Sequence, residues 1–222
     1  MKQVYDLYVP DTDKHFSLYM KKQGTSYQKK QRDNSLQYVS SFGVAVDVGA
    51  HVGTWARELE NKFDKVICFE PLTPHVECLI KNIKYPDKVQ IIQYALGDTN
   101  GKEVLMDYEK DHNTGTAGIL PRSLNHDKGK YKAIIRKLDS FGISTIDYIK
   151  VDIEGYELPF LKGAKETLLR TKPVLNIEIK NTCERFGTNA KEIVKYLEKD
   201  LHMMCIDRCV NDYIFVYRYE SC

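Results

Sequence analysis

The chain has 222 residues, 42% of them hydrophobic and 29% charged, with a formal net charge of +2. That length suits one domain, or one domain with a small appendage, and is enough to bury a proper core. The charge balance excludes a global pull toward nucleic acid, and no apolar run reaches the length of a membrane span.

Residues 1–42 read as an N-terminal arm or cap, polar and rich in tyrosine. Lys21 to Arg32 holds five basic residues and no acid. The plain reading is a solvated arm or short helices on the domain edge; the sharper one is a lid or a contact for an anionic substrate. The opening Met1-Lys2-Gln3-Val4-Tyr5-Asp6 lacks the apolar stretch of a signal peptide. The six cysteines form no C-x-x-C pair and have no histidine at zinc spacing, so reduced thiols in a cytoplasm are expected.

From residue 43 onward strands and helices alternate. Val44 to Val48 is a buried strand, and Val52, Trp55, Ala56 and Leu59 then recur on one helix face. Val66 to Phe69 is the second strand, and Pro74 opens a helix with Val76, Leu79, Ile80 and Ile83 as its apolar face. Val89 to Leu96 is the third strand, followed by the turn Asn100-Gly101 and a short strand at Val104 to Met106. Lys110 to Lys132 has no sustained period and reads as a long loop. Ala133 to Leu138, Ile146 to Asp152 and Val174 to Ile179 are strands; Leu158 to Arg170 is a helix. A helix at Ala190 to Leu197, capped by Asn189, precedes an antiparallel hairpin, Met203 to Ile206 with Tyr213 to Tyr217. This alternation predicts an α/β fold, a mostly parallel sheet with helices on both faces.

Ligands in such sheets bind beyond the carboxyl ends of the strands, where strand order reverses. The predicted strand ends are Gly49, Glu70, Gly97-Asp98, Asp152 and Glu178, and all but the first carry a carboxylate. Gly49 and Gly53 form a G-x-x-x-G turn around Ala50 and His51. It lacks the middle glycine that a pyrophosphate needs in the G-x-G-x-x-G of nicotinamide and flavin sites. A nucleoside ligand without phosphate fits better, and S-adenosylmethionine is that cofactor. Glu70 suits a ribose diol, and Asp98 is placed to accept from an adenine amine. His51 reads as a turn residue, since nothing pairs with it locally. Asp47, inside the first strand, is costly unless bonded. It holds the loop amides, contacts the ammonium of an amino-acid-bearing ligand, or does both.

Ile149-Lys150-Val151-Asp152-Ile153-Glu154-Gly155-Tyr156-Glu157 is the second informative segment. Alternation lets Asp152, Glu154, Asn176 and Glu178 converge at the pocket rim. They read as a general base for a hydroxyl nucleophile, as oxygen ligands for a magnesium-type ion, or as a network that fixes loops. Asp152 is the first choice for the catalytic base, with Glu178 and His112 behind it.

The ordered set Val46-Asp47-Val48-Gly49-Ala50-His51-Val52-Gly53, Phe69-Glu70-Pro71, Ala95-Leu96-Gly97-Asp98, Leu138-Asp139-Ser140-Phe141 and the Lys150 to Glu157 segment resembles the FkbM family of S-adenosylmethionine-dependent methyltransferases. The likeness runs from about residue 43 to about residue 180. It implies a class I methyltransferase (Rossmann-like) fold, with a seven-stranded sheet closed by the terminal hairpin, as one domain over residues 43–222. It implies O-methylation, typically of sugar or natural-product hydroxyls, so a small-molecule or glycan acceptor is expected. Asp47, Gly49, Ala50, His51, Gly53, Glu70, Pro71, Gly97, Asp98 and Asp152 are the expected cofactor-binding set. Asp111 to Thr116 resembles a family segment near the pocket. A nucleic-acid methyltransferase is disfavoured by the small net charge and by the lack of a base-flipping motif, a nicotinamide oxidoreductase by the glycine spacing. A non-catalytic binding module is the remaining alternative.

Overall fold

The computed structural model describes residues 1–16, 18–19, 27–108, 112–121 and 131–218. Much of the basic stretch (residues 21–26), Asp111, residues 122–130 of the long loop and Cys222 lie outside the described residues.

Two short strands, β1 (Lys2–Val4) and β2 (Leu7–Val9), pair antiparallel ahead of helix α1 (Lys29–Leu36). The main sheet is built from β3 (Val44–Val48), β4 (Lys65–Phe69), β5 (Val89–Ile92), β10 (Tyr148–Val151), β11 (Val174–Glu178), β12 (Met203–Cys209) and β13 (Asp212–Tyr217). Its order is β12-β13-β11-β10-β3-β4-β5, parallel except for β13, which runs antiparallel to both neighbours. The chain leaves β3 toward β4 on one side and β10 toward β11 on the other, so strand order reverses between β3 and β10.

Helices cover both faces because the strands are apolar on both. Val46, Val48, Ile149 and Val151 face a core closed by α4 (Glu157–Gly163), α5 (Lys165–Thr171) and α6 (Ala190–Lys199). Ala45, Val66, Cys68 and Tyr148 face the other core, against α1, α2 (Ala56–Leu59) and α3 (Thr73–Asn82). Asn189 and Glu192 form a reciprocal capping box at the start of α6.

The structure redraws four sequence expectations. The first helix is only Ala56–Leu59; Val52 and Trp55 are buried in the turns before it. In α3, Ile80 is 58% exposed, and the inner face is His75, Val76, Cys78 and Leu79. The third strand is two. β5 ends at Ile92, and β6 (Ala95–Leu96) joins a second sheet with β7 (Lys102–Tyr108), β8 (Ala117–Ile119) and β9 (Tyr131–Arg136), in the order β6-β9-β7-β8. The helix at 158–170 is divided at Gly163-Ala164, where a Cβ on Gly163 would lie 1.8 Å from the Gly97 carbonyl oxygen. That contact tethers the end of β6 to the break between α4 and α5.

Candidate active site

Beyond the carboxyl ends of β3, β4 and β10 lies a cleft, at the reversal of strand order. The glycine turn forms its floor. Gly49 and Ala50 N–H groups donate to the Phe69 carbonyl at 2.9 and 3.1 Å, which locks the turn onto the end of β4. Gly49 has φ +81°, and a Cβ there would stand 2.0 Å from the Asp152 carbonyl oxygen, so only glycine lets this turn meet the end of β10.

Asp47, Gly49, Ala50, His51, Glu70, Pro71 and Asp152 line the cleft. Gly53, Gly97, Asp98, Glu178 and His112 do not. Gly53 (φ +86°) packs on Leu79, which a Cβ would approach to 2.4 Å. Gly97 follows β6 and packs on Gly163; Tyr94, Ala95 and Leu96 line the cleft, and Gly97 and Asp98 do not. His112 is exposed, its ring Nδ1 3.3 Å from the Thr12 carbonyl; it fastens the N-terminal arm and stays out of the cleft. Glu178 is hydrogen-bonded to Asp152.

Asp47 is 2% exposed, and its Oδ2 has no hydrogen-bond partner among the described residues. Burial pushes the carboxyl up to about 7, against the pull of Lys150. Lys150, opposite Asp47 in the β3–β10 register, is equally buried. Its Nζ lies 2.9 Å from Asp212 Oδ1 and 5.1 Å from the centre of the Trp55 ring. Burial pulls its pKa down, but Asp212, Asp152 and Glu178 outweigh this and raise it.

Glu70 organises the opposite wall. Oε2 accepts from the His51 N–H at 2.9 Å; Oε1 accepts from the Leu72 N–H at 2.9 Å and lies 3.1 Å from His75 Nδ1. His51 has φ +52° and a partner far away in sequence. Thr114 Oγ1 donates to Asp13 Oδ2 at 2.7 Å, so it accepts from His51 Nε2 at 2.9 Å. This Asp13–Thr114–His51 chain ties the arm to the glycine loop. Burial, then His75 and His15, hold the His51 imidazole well below its usual pKa, hence neutral. The expectation that nothing pairs with His51 holds only locally. Phe16 and Tyr27, also from the arm, line the cleft beside it.

At the end of β10 the chain turns through two left-handed residues, Glu154 (φ +52°) and Gly155 (φ +106°). This brings carboxylate oxygens of Asp152, Glu154 and Glu178 within 4.8 Å of one another. Asn176 is not among them; its Nδ2 donates to the Tyr148 hydroxyl at 3.3 Å. Burial, then the Asp152 charge and a hydrogen bond to it, raise the Glu178 carboxyl. For Asp152 burial acts upward, but Lys150, Lys180 and the bond from Glu178 hold it below its usual range. Within this pair the proton is favoured on Glu178 and the charge on Asp152.

Two residues given no role from the sequence stand out. Lys150 is a charge inside an apolar strand, the same signal that singled out Asp47. Lys180 lies two residues beyond Glu178 and therefore leans to the same side.

The sheet order, the antiparallel last strand and a cleft at the strand-order reversal define a class I methyltransferase fold. A family model described as "Methyltransferase FkbM domain" matches residues 47–204. The chain belongs to the FkbM methyltransferase family. It is 27% identical over 149 residues to the 2-O-methyltransferase NoeI of Sinorhizobium fredii (strain NBRC 101917 / NGR234), covering 58% of this chain and 60% of that protein. The chain thus spans less than two thirds of that relative. The crystal structure of methyltransferase FkbM from Methylobacillus flagellatus KT superposes with a TM-score of 0.54 at 18% identity, over 79% of this chain and 43% of that one. Precorrin-6y C5,15-methyltransferase from Geobacter metallireducens GS-15 gives 0.50 at 12% identity, over 87% and 89%. Among the described residues no helix is long and apolar enough to cross a membrane.

Proposed function

We propose that the protein is an S-adenosylmethionine-dependent O-methyltransferase acting on a hydroxyl of a sugar or small natural-product acceptor. The observation that carries the cofactor is Asp47 Oδ2, a buried acceptor without a partner among the described residues, in the wall of the cleft beside Gly49. A buried carboxylate oxygen is costly alone, and the α-ammonium of an amino-acid-bearing cofactor satisfies it. Glu70 uses Oε1 on Leu72 and His75 and keeps a lone pair on Oε2 for a ribose hydroxyl. Tyr94, Ala95 and Leu96 supply an adenine wall in place of Asp98. The bound cofactor supplies an electrophilic methyl on its sulfonium.

The remaining work falls to the chain's own groups. Asp152 lines the cleft at the end of β10 and stays ionised, so it accepts the hydrogen bond of an incoming hydroxyl and orients it. Glu178, hydrogen-bonded to Asp152, keeps that carboxylate in place. Phe16, Tyr27 and Trp55 exclude water, and alignment of this kind is worth roughly 7–11 kcal/mol in favourable cases. The oxygen acceptor is supported by the likeness to a protein named as a 2-O-methyltransferase.

The test is tritium transfer from methyl-labelled S-adenosylmethionine across a panel of glycans and hydroxylated metabolites. The reading expects label on an acceptor oxygen. Label appearing solely on nitrogen or carbon acceptors overturns the O-methyl half. Failure of S-adenosylhomocysteine to bind overturns the cofactor half.

A further inference from the structure

We propose that Lys180 is the built-in cation of this site, standing where a divalent ion would otherwise be held by Asp152, Glu154 and Glu178. The inference deepens the methyltransferase reading and rests on it for the purpose of the site, though not for its geometry.

The three carboxylates offer one oxygen each within 4.8 Å of one another, the spacing of a hard-cation ligand set. Glu154 is 6% exposed, too buried for solvent to screen its charge, and Asp152 beside it is held ionised. Something positive must face them. Lys150 is committed to Asp212 at 2.9 Å. Lys180 Nζ stands 2.7 Å from Glu154 Oε1, 3.0 Å from Glu178 Oε2 and 3.9 Å from Asp152 Oδ1. One ammonium therefore touches or faces all three acids, as a metal ion would.

The local backbone serves this arrangement. The left-handed turn at Glu154-Gly155 points Glu154 back toward β11, and the Arg185 guanidinium holds it by donating to the Glu154 carbonyl at 2.7 Å. A Cβ on Gly155 would lie 2.5 Å from the Thr182 carbonyl, so this turn and the segment after Lys180 are packed backbone to backbone. Lys180 and the triad are thus held by two fixed loops. A fixed positive charge beside Asp152 keeps that carboxylate ionised and favours negative charge developing on an acceptor oxygen. Lys180 acts through Asp152, as a positioning residue.

The test uses Mn²⁺ alone, followed by electron paramagnetic resonance on the full chain at pH 7.5, and needs no acceptor. Wild type is expected to leave Mn²⁺ free into the millimolar range. Lys180→Ala should bind one Mn²⁺ at least 100-fold more tightly, and adding Glu178→Gln to it should remove that site. Lys180→Arg should stay blind to the ion, an outcome that a merely structural lysine does not predict. Mn²⁺ bound by wild type at the triad, or a folded Lys180→Ala chain that ignores the ion, overturns the proposal. Should Lys180→Ala not fold, Lys180→Gln gives the same reading, and the wild-type arm stands regardless. S-adenosylhomocysteine affinity in the same samples reports the methyltransferase reading separately: its absence in wild type sinks that reading and leaves the Mn²⁺ result valid.

Discussion

Replacing Asp47 with Asn separates the cost of the cofactor site from its use. Asn keeps the shape and the acceptor that meets the Ala56 backbone, and removes the charge that has no partner at Oδ2. An acid moved from 3.8 to about 7 by burial carries, at 1.36 kcal/mol per pH unit, about 4 kcal/mol against the folded state once it is ionised. The sign is fixed by the direction. A carboxyl with a raised pKa binds its proton more tightly folded than unfolded. The penalty is therefore absent below pH 3.8, grows as pH rises to about 7, and is constant above. At pH 8 without ligand, Asp47→Asn should be the more stable chain by several kcal/mol, roughly 10 °C in Tm for a domain of this size. At pH 5 less than half of that gain should remain. Cofactor binding should move the other way, because the variant loses a charge-assisted bond worth about 1.5–3 kcal/mol, a roughly 10- to 150-fold loss of affinity at pH 8. Differential scanning fluorimetry at the two pH values and calorimetric titration with S-adenosylhomocysteine measure both. A variant that is no more stable at pH 8, or that binds the ligand as wild type does, refutes the reasoning.

Other substitutions test neighbouring parts of the account. Glu70→Ala should weaken S-adenosylhomocysteine binding at least tenfold and lower Tm, since it also strands the His51 and Leu72 N–H groups; an unaltered binding isotherm removes Glu70 from the ribose. Asp152→Asn should keep ligand affinity within a few-fold and lose most turnover once an acceptor is in hand; unchanged turnover ends its role. Gly49→Ala forces a Cβ to within 2.0 Å of the Asp152 carbonyl and should abolish ligand binding, measured by the same titration. Asn189→Ala should cost about 1 kcal/mol through the lost α6 cap and leave ligand affinity unchanged, so it controls for global destabilisation.

The sheet strands with a clear apolar run were readable from sequence, as were Pro74 at its helix start and the Asn189 cap. What was hidden came from contacts between distant segments. The run from Val89 to Leu96 looks continuous, yet its last residues pair with β9, and nothing in the local pattern marks the break at Gln93-Tyr94. That split moves Asp98 away from the cleft. Helix 158–170 breaks because Gly163 meets Gly97 across the fold. In the site, Asp47 and Glu70 were legible as acids at strand ends. His51 was not, because Asp13 and Thr114 lie 38 and 63 residues away from it. Acids at strand ends draw the eye, whereas the lysine that neutralises them, Lys180, reads as ordinary surface charge until its three partners are seen together.

A calorimetric titration of the wild-type chain with S-adenosylhomocysteine at pH 8, set beside NAD⁺, decides which cofactor the cleft takes. One binding site for S-adenosylhomocysteine, weakened in both Glu70→Ala and Asp47→Asn, with no heat from NAD⁺, is the predicted result. No binding of S-adenosylhomocysteine, or binding of NAD⁺ in its place, would contradict the account.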